Sequence, residues 1–322
     1  MLHNVFTNTY TMKYQGNADS VLFLGDSLEI LQNIKPQSID LIFADPPYGI
    51  GKDFRDKNNK DSNSESNKDI WHNAKEYLEW CKIWIDSCMR VLKSNGTMYF
   101  MSSTQYMPYL DCYVSEKYFV INRIVWSYDS AGVQPKSKFS SAYEPILMIT
   151  HSKDSRYTFN AKDILIEAKT GAKRKLIDYR KTPPKPYNMT KIPNNVWYFN
   201  RVRYKMAEYE NHPTQKPERL LQRIILASSN KGDVVLDPFA GSFTTCKVAL
   251  DLGRKSIGIE NNEEFYTIGL RRCGIAQSYK DEILTHTKIR KTKNKSKKDH
   301  YPYQSLFDKE NAQEQTMGEN TL

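Results

Sequence analysis

The chain has 322 residues, of which 39% are hydrophobic and 26% charged, with a formal net charge of +10. Its length suits one α/β domain with an insertion, or two domains. No run of about 18 apolar residues exists, which excludes a membrane-spanning helix, and Met1–Val5 shows no basic-then-apolar leader. Cys81, Cys88, Cys112, Cys246 and Cys273 are scattered and odd in number. They form neither a disulfide framework nor a Cys-x-x-Cys metal pair. A reducing cytoplasm is the expected setting, with the thiols as small core residues.

Residues 1–16 are polar and patternless, and a loosely ordered start is expected. Val21–Leu24 reads as a short buried strand. Gly25-Asp26-Ser27 then opens a helix to about Ile34, with Asp26 or Ser27 as its N-cap. A ligand contact at the strand end is the alternative role for Asp26. The apolar run Ile39 to Ala44 stops at Asp45-Pro46-Pro47-Tyr48. Two successive prolines lack N–H groups and restrict the residue before them, so a strand must end there in a fixed extended turn. Asp45 and Tyr48 are thereby held at a strand's carboxyl end, the edge where ligands bind in open α/β sheets.

Those residue types suit chemistry on a planar amino group. The nitrogen of an exocyclic NH₂ is a poor nucleophile because its lone pair is delocalised into the ring. Asp45 accepting one N–H and the Pro46 carbonyl accepting the other would favour a tetrahedral nitrogen, while Tyr48 stacks on the base. A strand ending in a proline turn with a solvated Asp is the plainer reading of Asp-Pro-Pro alone.

Residues 49–67 lose all periodicity and form a polar segment beside Tyr48, placed either to close over a substrate or simply to be solvated. Trp71 to Leu92 has an amphipathic helical pattern, with Asn95-Gly96 as its stop and Thr97–Met101 as the next strand. A helix over Leu110–Glu116 and strands over Phe119–Tyr128 and Tyr143–Thr150 follow. The last two, joined by the polar loop 129–141 without a helix, are expected to be antiparallel at a sheet edge.

The block 151–207 breaks this rhythm. It holds fourteen Lys and Arg against four acidic residues, a net charge equal to that of the whole chain, with tyrosines, Trp197 and several prolines interleaved. Such a block is the footprint of a polyanion-binding surface; a solvated basic face is the alternative. The regular pattern resumes at the rigid turn His212-Pro213-Thr214-Gln215-Lys216-Pro217. A helix over Glu218–Ser229 follows, then strand Val234–Leu236, the loop Asp237-Pro238-Phe239-Ala240-Gly241-Ser242-Phe243, a helix to Leu252, and strand Ser256–Ile259 ending at Glu260. In nucleoside-binding βαβ units the acid about 20 residues past the glycine loop accepts ribose hydroxyls. G-x-G-x-x-G is absent, which favours a nucleoside cofactor without a pyrophosphate over NAD. Past Arg271 the chain reads as a polar, disordered tail with a basic run.

In this order, Asp-Pro-Pro-Tyr, a basic insertion, His-Pro-Thr-Gln-Lys-Pro and Asp-Pro-Phe-Ala-Gly-Ser-Phe resemble the β-class DNA amino-methyltransferases over about residues 20–275. The resemblance implies an α/β fold with a Rossmann-like, seven-stranded, mainly parallel sheet and an inserted DNA-recognition module. Residues 1–150 would form the catalytic half, 151–207 the target-recognition insertion, 208–280 the cofactor half and 281–322 the tail. It implies S-adenosyl-L-methionine as cofactor, double-stranded DNA as partner and a flipped-out base as target. No metal is required, and a homodimer is an open option. Asp45, Pro46, Pro47 and Tyr48 match the catalytic motif. Asp237, Phe239, Gly241 and Ser242 match the cofactor loop, Glu260 the ribose-binding acid, Asp26 the adenine-side contact, and Thr214 and Lys216 the turn at the cofactor's methionine end. Phe243 departs from the glycine usual in the family. The resemblance is nearest to a subgroup that methylates adenine N6 in ATGCAT. Cytosine-N4 methylation, and a DNA-binding relative without catalysis, are the rival readings.

Overall fold

The computed structural model describes residues 2–7, 12–49, 71, 73–129, 136–137, 139–169, 175–275, 278–279 and 282–283. The expectations for 50–67, for most of 129–141, for Lys173 and Arg174 and for the tail lie outside them.

The described residues form fifteen strands and six α-helices; a two-residue pair, Ser278–Tyr279 with Glu282–Ile283, stands apart, and the other thirteen strands carry the fold. In the first half these are β1 (Lys13–Gly16), β2 (Ser20–Leu24), α1 (Ser27–Gln32), β3 (Ile39–Ala44), α2 (Ala74–Val91), β4 (Leu92–Met101), α3 (Met107–Lys117), β5 (Phe119–Ser127) and β6 (Tyr143–Thr150). The basic block contributes β7 (Ile166–Glu167), β8 (Ile177–Asp178), β9 (Lys185–Pro186), β10 (Thr190–Lys191) and β11 (Val196–Tyr198). After it come α4 (Glu218–Ser228), β12 (Val234–Asp237), α5 (Thr244–Asp251), β13 (Lys255–Glu260) and α6 (Glu263–Arg272).

The main sheet runs β1-β2-β13-β12-β3-β4-β6-β5-β11. Its seven inner strands are the expected Rossmann-like set: β2, β13, β12, β3 and β4 are mutually parallel, and β6 is antiparallel to both β4 and β5. The strand count is corrected from seven to nine, because β1 adds antiparallel to β2 and β11 adds parallel to β5. Pairing with β2, together with burial of Leu2 and Phe6, also corrects the expectation of a loose start. The reversed strand β6 lies inside the sheet rather than at its edge.

Parallel strands buried on both faces send alternate side chains to opposite layers. On β3, Ile42 and Ala44 pack with Trp84, Cys88 and Val114 of α2 and α3, whereas Leu41 and Phe43 pack with Leu220, Leu221, Ile224 and Val248 of α4 and α5. Helix α2 ends at Val91 and β4 starts at once, so Asn95-Gly96 lies within the strand and does not stop the helix. Gly96 is needed there because a Cβ would fall 2.9 Å from the Asp40 carbonyl of the neighbouring strand.

Within the basic block, β7 pairs with β10 and β8 with β9 in two-residue ladders. Tyr179, Tyr198 and Tyr204 are exposed there. Helix α6, absent from the sequence reading, starts at Asn262, whose side chain accepts the amides of Glu264 and Phe265.

Candidate active site

Strand β3 delivers Asp45 to the carboxyl edge of the sheet, and the turn before α4 delivers Lys216. The Lys216 ammonium donates to Asp45 Oδ2 in a buried ion pair across 171 residues of sequence. The Tyr48 hydroxyl lies 2.9 Å from Asp45 Oδ1 and 2.9 Å from Glu144 Oε2. Lys216 Nζ is 3.9 Å from Glu144 and 3.3 Å from the Thr214 carbonyl, to which it donates, and sits over the Tyr48 ring. Two carboxylates therefore share one ammonium. Burial raises the Asp45 carboxyl, outweighing the pull of Lys216. For Lys216, burial opposes the charge, but Asp45 and Glu144 together hold the ammonium above its usual range. Burial, reinforced by both carboxylates, pushes the Tyr48 phenol well above its usual range.

The turn itself is anchored. The Tyr77 hydroxyl of α2 donates to the Pro47 carbonyl at 3.0 Å, and a Cβ on Gly49, whose φ is +63°, would run into the Tyr77 ring. Pro46 is buried, and among the described residues nothing donates to its carbonyl.

A second acidic group stands at the ends of β12 and β13. Asp237 accepts from Thr245 Oγ1 at 2.5 Å and from the Phe239 amide at 3.0 Å. Glu260 Oε2 accepts the Gly241 amide at 2.8 Å and Oε1 the Asn262 amide at 2.9 Å. The Asn261 backbone amide also acts on this carboxylate. Burial pushes both acids up to about 7. Gly241 has φ +50°, and a Cβ there would meet the His212 ring 2.9 Å away at Nε2. The ring of His212 also packs edge-on against Phe265, and burial lowers its pKa to about 3, keeping it neutral. Backbone, imidazole and two acids thus gather at one strand-end edge suited to a neutral or cationic ligand.

The family model for N6/N4 methyltransferases, described as DNA methylase, matches residues 39–271. The chain belongs to this family. The methylase is 55% identical over 284 residues to "DNA adenine methyltransferase YhdJ" of Escherichia coli (strain K12), covering 88% of this chain and 92% of that one. It is 37% identical over 258 residues to "Type II methyltransferase M.HpaI" of Haemophilus parainfluenzae, with 79% and 74% covered. Among solved structures, the PvuII DNA methyltransferase (cytosine-N4-specific) shares the fold at a TM-score of 0.60 and 18% identity, over 81% of this chain and 89% of that one.

The fold of the methylase gathers most of the residues singled out in the sequence. Asp45, Tyr48, Thr214 and Lys216 meet in one network, and Asp237, Gly241 and Glu260 in the second. Phe239 packs on Trp80 and Trp84, with ring centroids 5.6 and 5.4 Å apart. Asp26 is the N-cap of α1, accepting from Leu28 and Glu29. Ser242 is buried, its hydroxyl 3.1 Å from Thr244 Oγ1 and its carbonyl accepting from Arg272. Phe243 adopts the left-handed conformation suited to glycine, φ +57°, yet its ring turns away from the ligand side and is fully buried against Gly258, Gly269 and Tyr266. The loop keeps the backbone a glycine would give it.

Three contributors escaped the sequence reading. Glu144 looked like an ordinary strand residue; because β6 runs in reverse, its first residues lie on the same edge as the last residues of β3. Gln215 braces the turn, accepting the Glu210 amide at 2.7 Å and donating to the Glu208 carbonyl at 2.6 Å. The Arg272 side chain, 3% exposed, ties the Ser242 carbonyl, Thr244 Oγ1 and Glu218 together at 2.7–2.9 Å. Overlooking α6 concealed the role of Arg272, although the Asn262 cap was a usable signal.

Proposed function

We propose that the methylase transfers a methyl group from S-adenosyl-L-methionine to N6 of an adenine flipped out of duplex DNA, with ATGCAT as its recognition sequence. The arrangement of Asp45 between Lys216 and Tyr48, one residue before the Pro46 carbonyl, is the observation that carries this reading. Bound cofactor would supply the electrophilic methyl group at a sulfonium. Residues of the second acidic group fit that molecule: Glu260 offers acceptors to ribose hydroxyls, the Gly241–His212 surface leaves room for close approach, and the carboxylates complement the positive sulfur. Asp26, at the adjoining end of β2, would serve as an adenine-side acceptor. Thr214 and Lys216 would meet the methionine end.

On the substrate side, Asp45 and the Pro46 carbonyl accept the two amine hydrogens, drawing the nitrogen lone pair out of conjugation. Tyr48 stacks on the flipped base and Pro47, clamped by Tyr77, fixes the turn. Positioning of this kind accounts for much of the acceleration when nucleophile and electrophile are held in line. Flipping costs a few kcal/mol, which contacts from the 151–207 block offset. Arg201 stacks over Tyr128, 5.1 Å from its ring, and Arg203 donates to the Asp129 carbonyl. Both therefore stand where the block meets the catalytic edge, suited to contact DNA next to the target.

The experiment is methylation of duplex DNA by the purified protein, followed by nucleoside analysis and mapping of modified sites. N6-methyladenine is expected. N4-methylcytosine as the sole product would replace adenine with the rival amine, and failure to bind S-adenosyl-L-methionine would favour a DNA-binding relative without catalysis.

A further inference from the structure

The Tyr48 hydroxyl carries one hydrogen but has two carboxylate neighbours, Asp45 Oδ1 and Glu144 Oε2, each at 2.9 Å. It can donate fully to only one of them. The other contact becomes a full hydrogen bond when that carboxyl holds a proton and donates it to the phenol oxygen. The three groups thus form a path along which a proton crosses from Asp45 to Glu144 without displacement of heavy atoms. Asp45 faces the proposed amine position, whereas the Glu144 side chain is 17% exposed at the start of β6. Among the described residues, the groups facing Glu144 are Lys216 at 3.9 Å, Tyr48, the Asp45 carboxylate, and Tyr128, just past β5, whose hydroxyl interacts with the same carboxylate and whose ring carries Arg201.

We propose that Glu144 receives, through the Tyr48 hydroxyl, the proton that the target amine sheds on methylation. This rests on the amine-methylating reading above. The amine lone pair forms the N–C bond as the C–S bond breaks and its electron pair stays on sulfur. As the N–C bond forms and the nitrogen becomes positive, it gives one proton to Asp45 in the same step, so the acceptor's readiness enters the barrier to transfer. Asp45 passes a proton to the Tyr48 oxygen while the original Tyr48 proton moves to Glu144. Asp45 is again a carboxylate, Tyr48 is still a phenol, and one proton resides on Glu144 near solvent. Because each proton leaves the tyrosine as another arrives, no phenolate forms, as its buried position beside two carboxylates demands.

Single-turnover methyl transfer with enzyme in excess tests the path. E144Q keeps the size of the side chain and an acceptor oxygen for Tyr48 but cannot take a proton; Y48F keeps the ring and removes the hydroxyl. Each is expected to slow transfer by at least about tenfold, with S-adenosyl-L-methionine affinity by calorimetry within about twofold of the parent. The double variant is expected to be no slower than the slower single one, since both cut one path. E144Q at the parent rate, or losses that multiply in the double variant, would overturn the proposal. Product analysis of the parent in the same assay separates the two levels. A parent that methylates no amine overturns both readings, whereas an active parent with an equally active E144Q overturns the proton path alone.

Discussion

Replacing Phe243 with glycine, the residue usual in the family, should destabilise this chain although it relieves a left-handed backbone. The ring is fully buried against Cys246, Tyr266 and Leu270, and emptying such a site costs about 3–5 kcal/mol. Relief of φ +57° returns about 1–2 kcal/mol, leaving a net loss of about 1–4 kcal/mol. The space taken by the ring is created by two glycines. A Cβ on Gly269 would lie 2.5 Å from Phe243 Cγ and 2.6 Å from Cε2, and one on Gly258 would lie 2.7 Å from Cε1. G269A should therefore destabilise the parent by about 1–3 kcal/mol through overpacking. In the F243G background the same change meets no ring, and alanine in the middle of α6 should stabilise by about 1 kcal/mol. Urea denaturation of the four proteins, parent, two singles and the double, reads the sign reversal directly. F243G as stable as the parent, or G269A costing the same in both backgrounds, would refute the reasoning.

D45A should abolish methyl transfer while leaving cofactor affinity nearly intact, whereas E260A should weaken cofactor binding by about 1–3 kcal/mol; equal losses of affinity by calorimetry would contradict two separate sites. Asp237 and Glu260 carry pKa values of about 7, against reference values of 3.8 and 4.5. Between the reference and folded values the native chain binds more protons than the unfolded one. Stability should therefore fall as pH rises through that window, by at most about 1.4 kcal/mol per unit for each group. Urea midpoints over the same window should show that slope, and D237N and E260Q should each flatten it. Affinity for the cationic cofactor should rise with pH as both acids ionise, and pH-independent calorimetric affinity would contradict this. Substituting Lys173, Arg174 and Lys175 together should reduce the dependence of log DNA affinity on log salt by about 0.9 for each phosphate that is no longer neutralised, without altering cofactor affinity. An unchanged slope would move the DNA surface away from that cluster.

Much of the architecture was legible because local chemistry dictates it. Apolar runs such as Ile39–Ala44 and Val234–Leu236 can only be strands buried on both faces, and Asp45-Pro46-Pro47 must terminate one of them. Asp237 and Glu260 close two more strands, so their place on one sheet edge follows once the strands are parallel. Motif order likewise carried the family, which the match over residues 39–271 bears out. Other features depended on pairings that no local pattern encodes. Strand β1 has order because β2 offers an open edge, β11 because β5 does, and Phe6 because it bridges to Ile34 just past α1. Glu144 reaches Tyr48 because β6 is inserted in reverse between β4 and β5. Lys216 neutralises Asp45 because the sheet places β12 beside β3. Phe243, a departure from the family by sequence, fits because Gly258 on β13 and Gly269 on α6 leave room for its ring. Side-chain type and spacing fix where a strand ends and what its last residue can do; which distant residue meets it there is decided by strand order and direction.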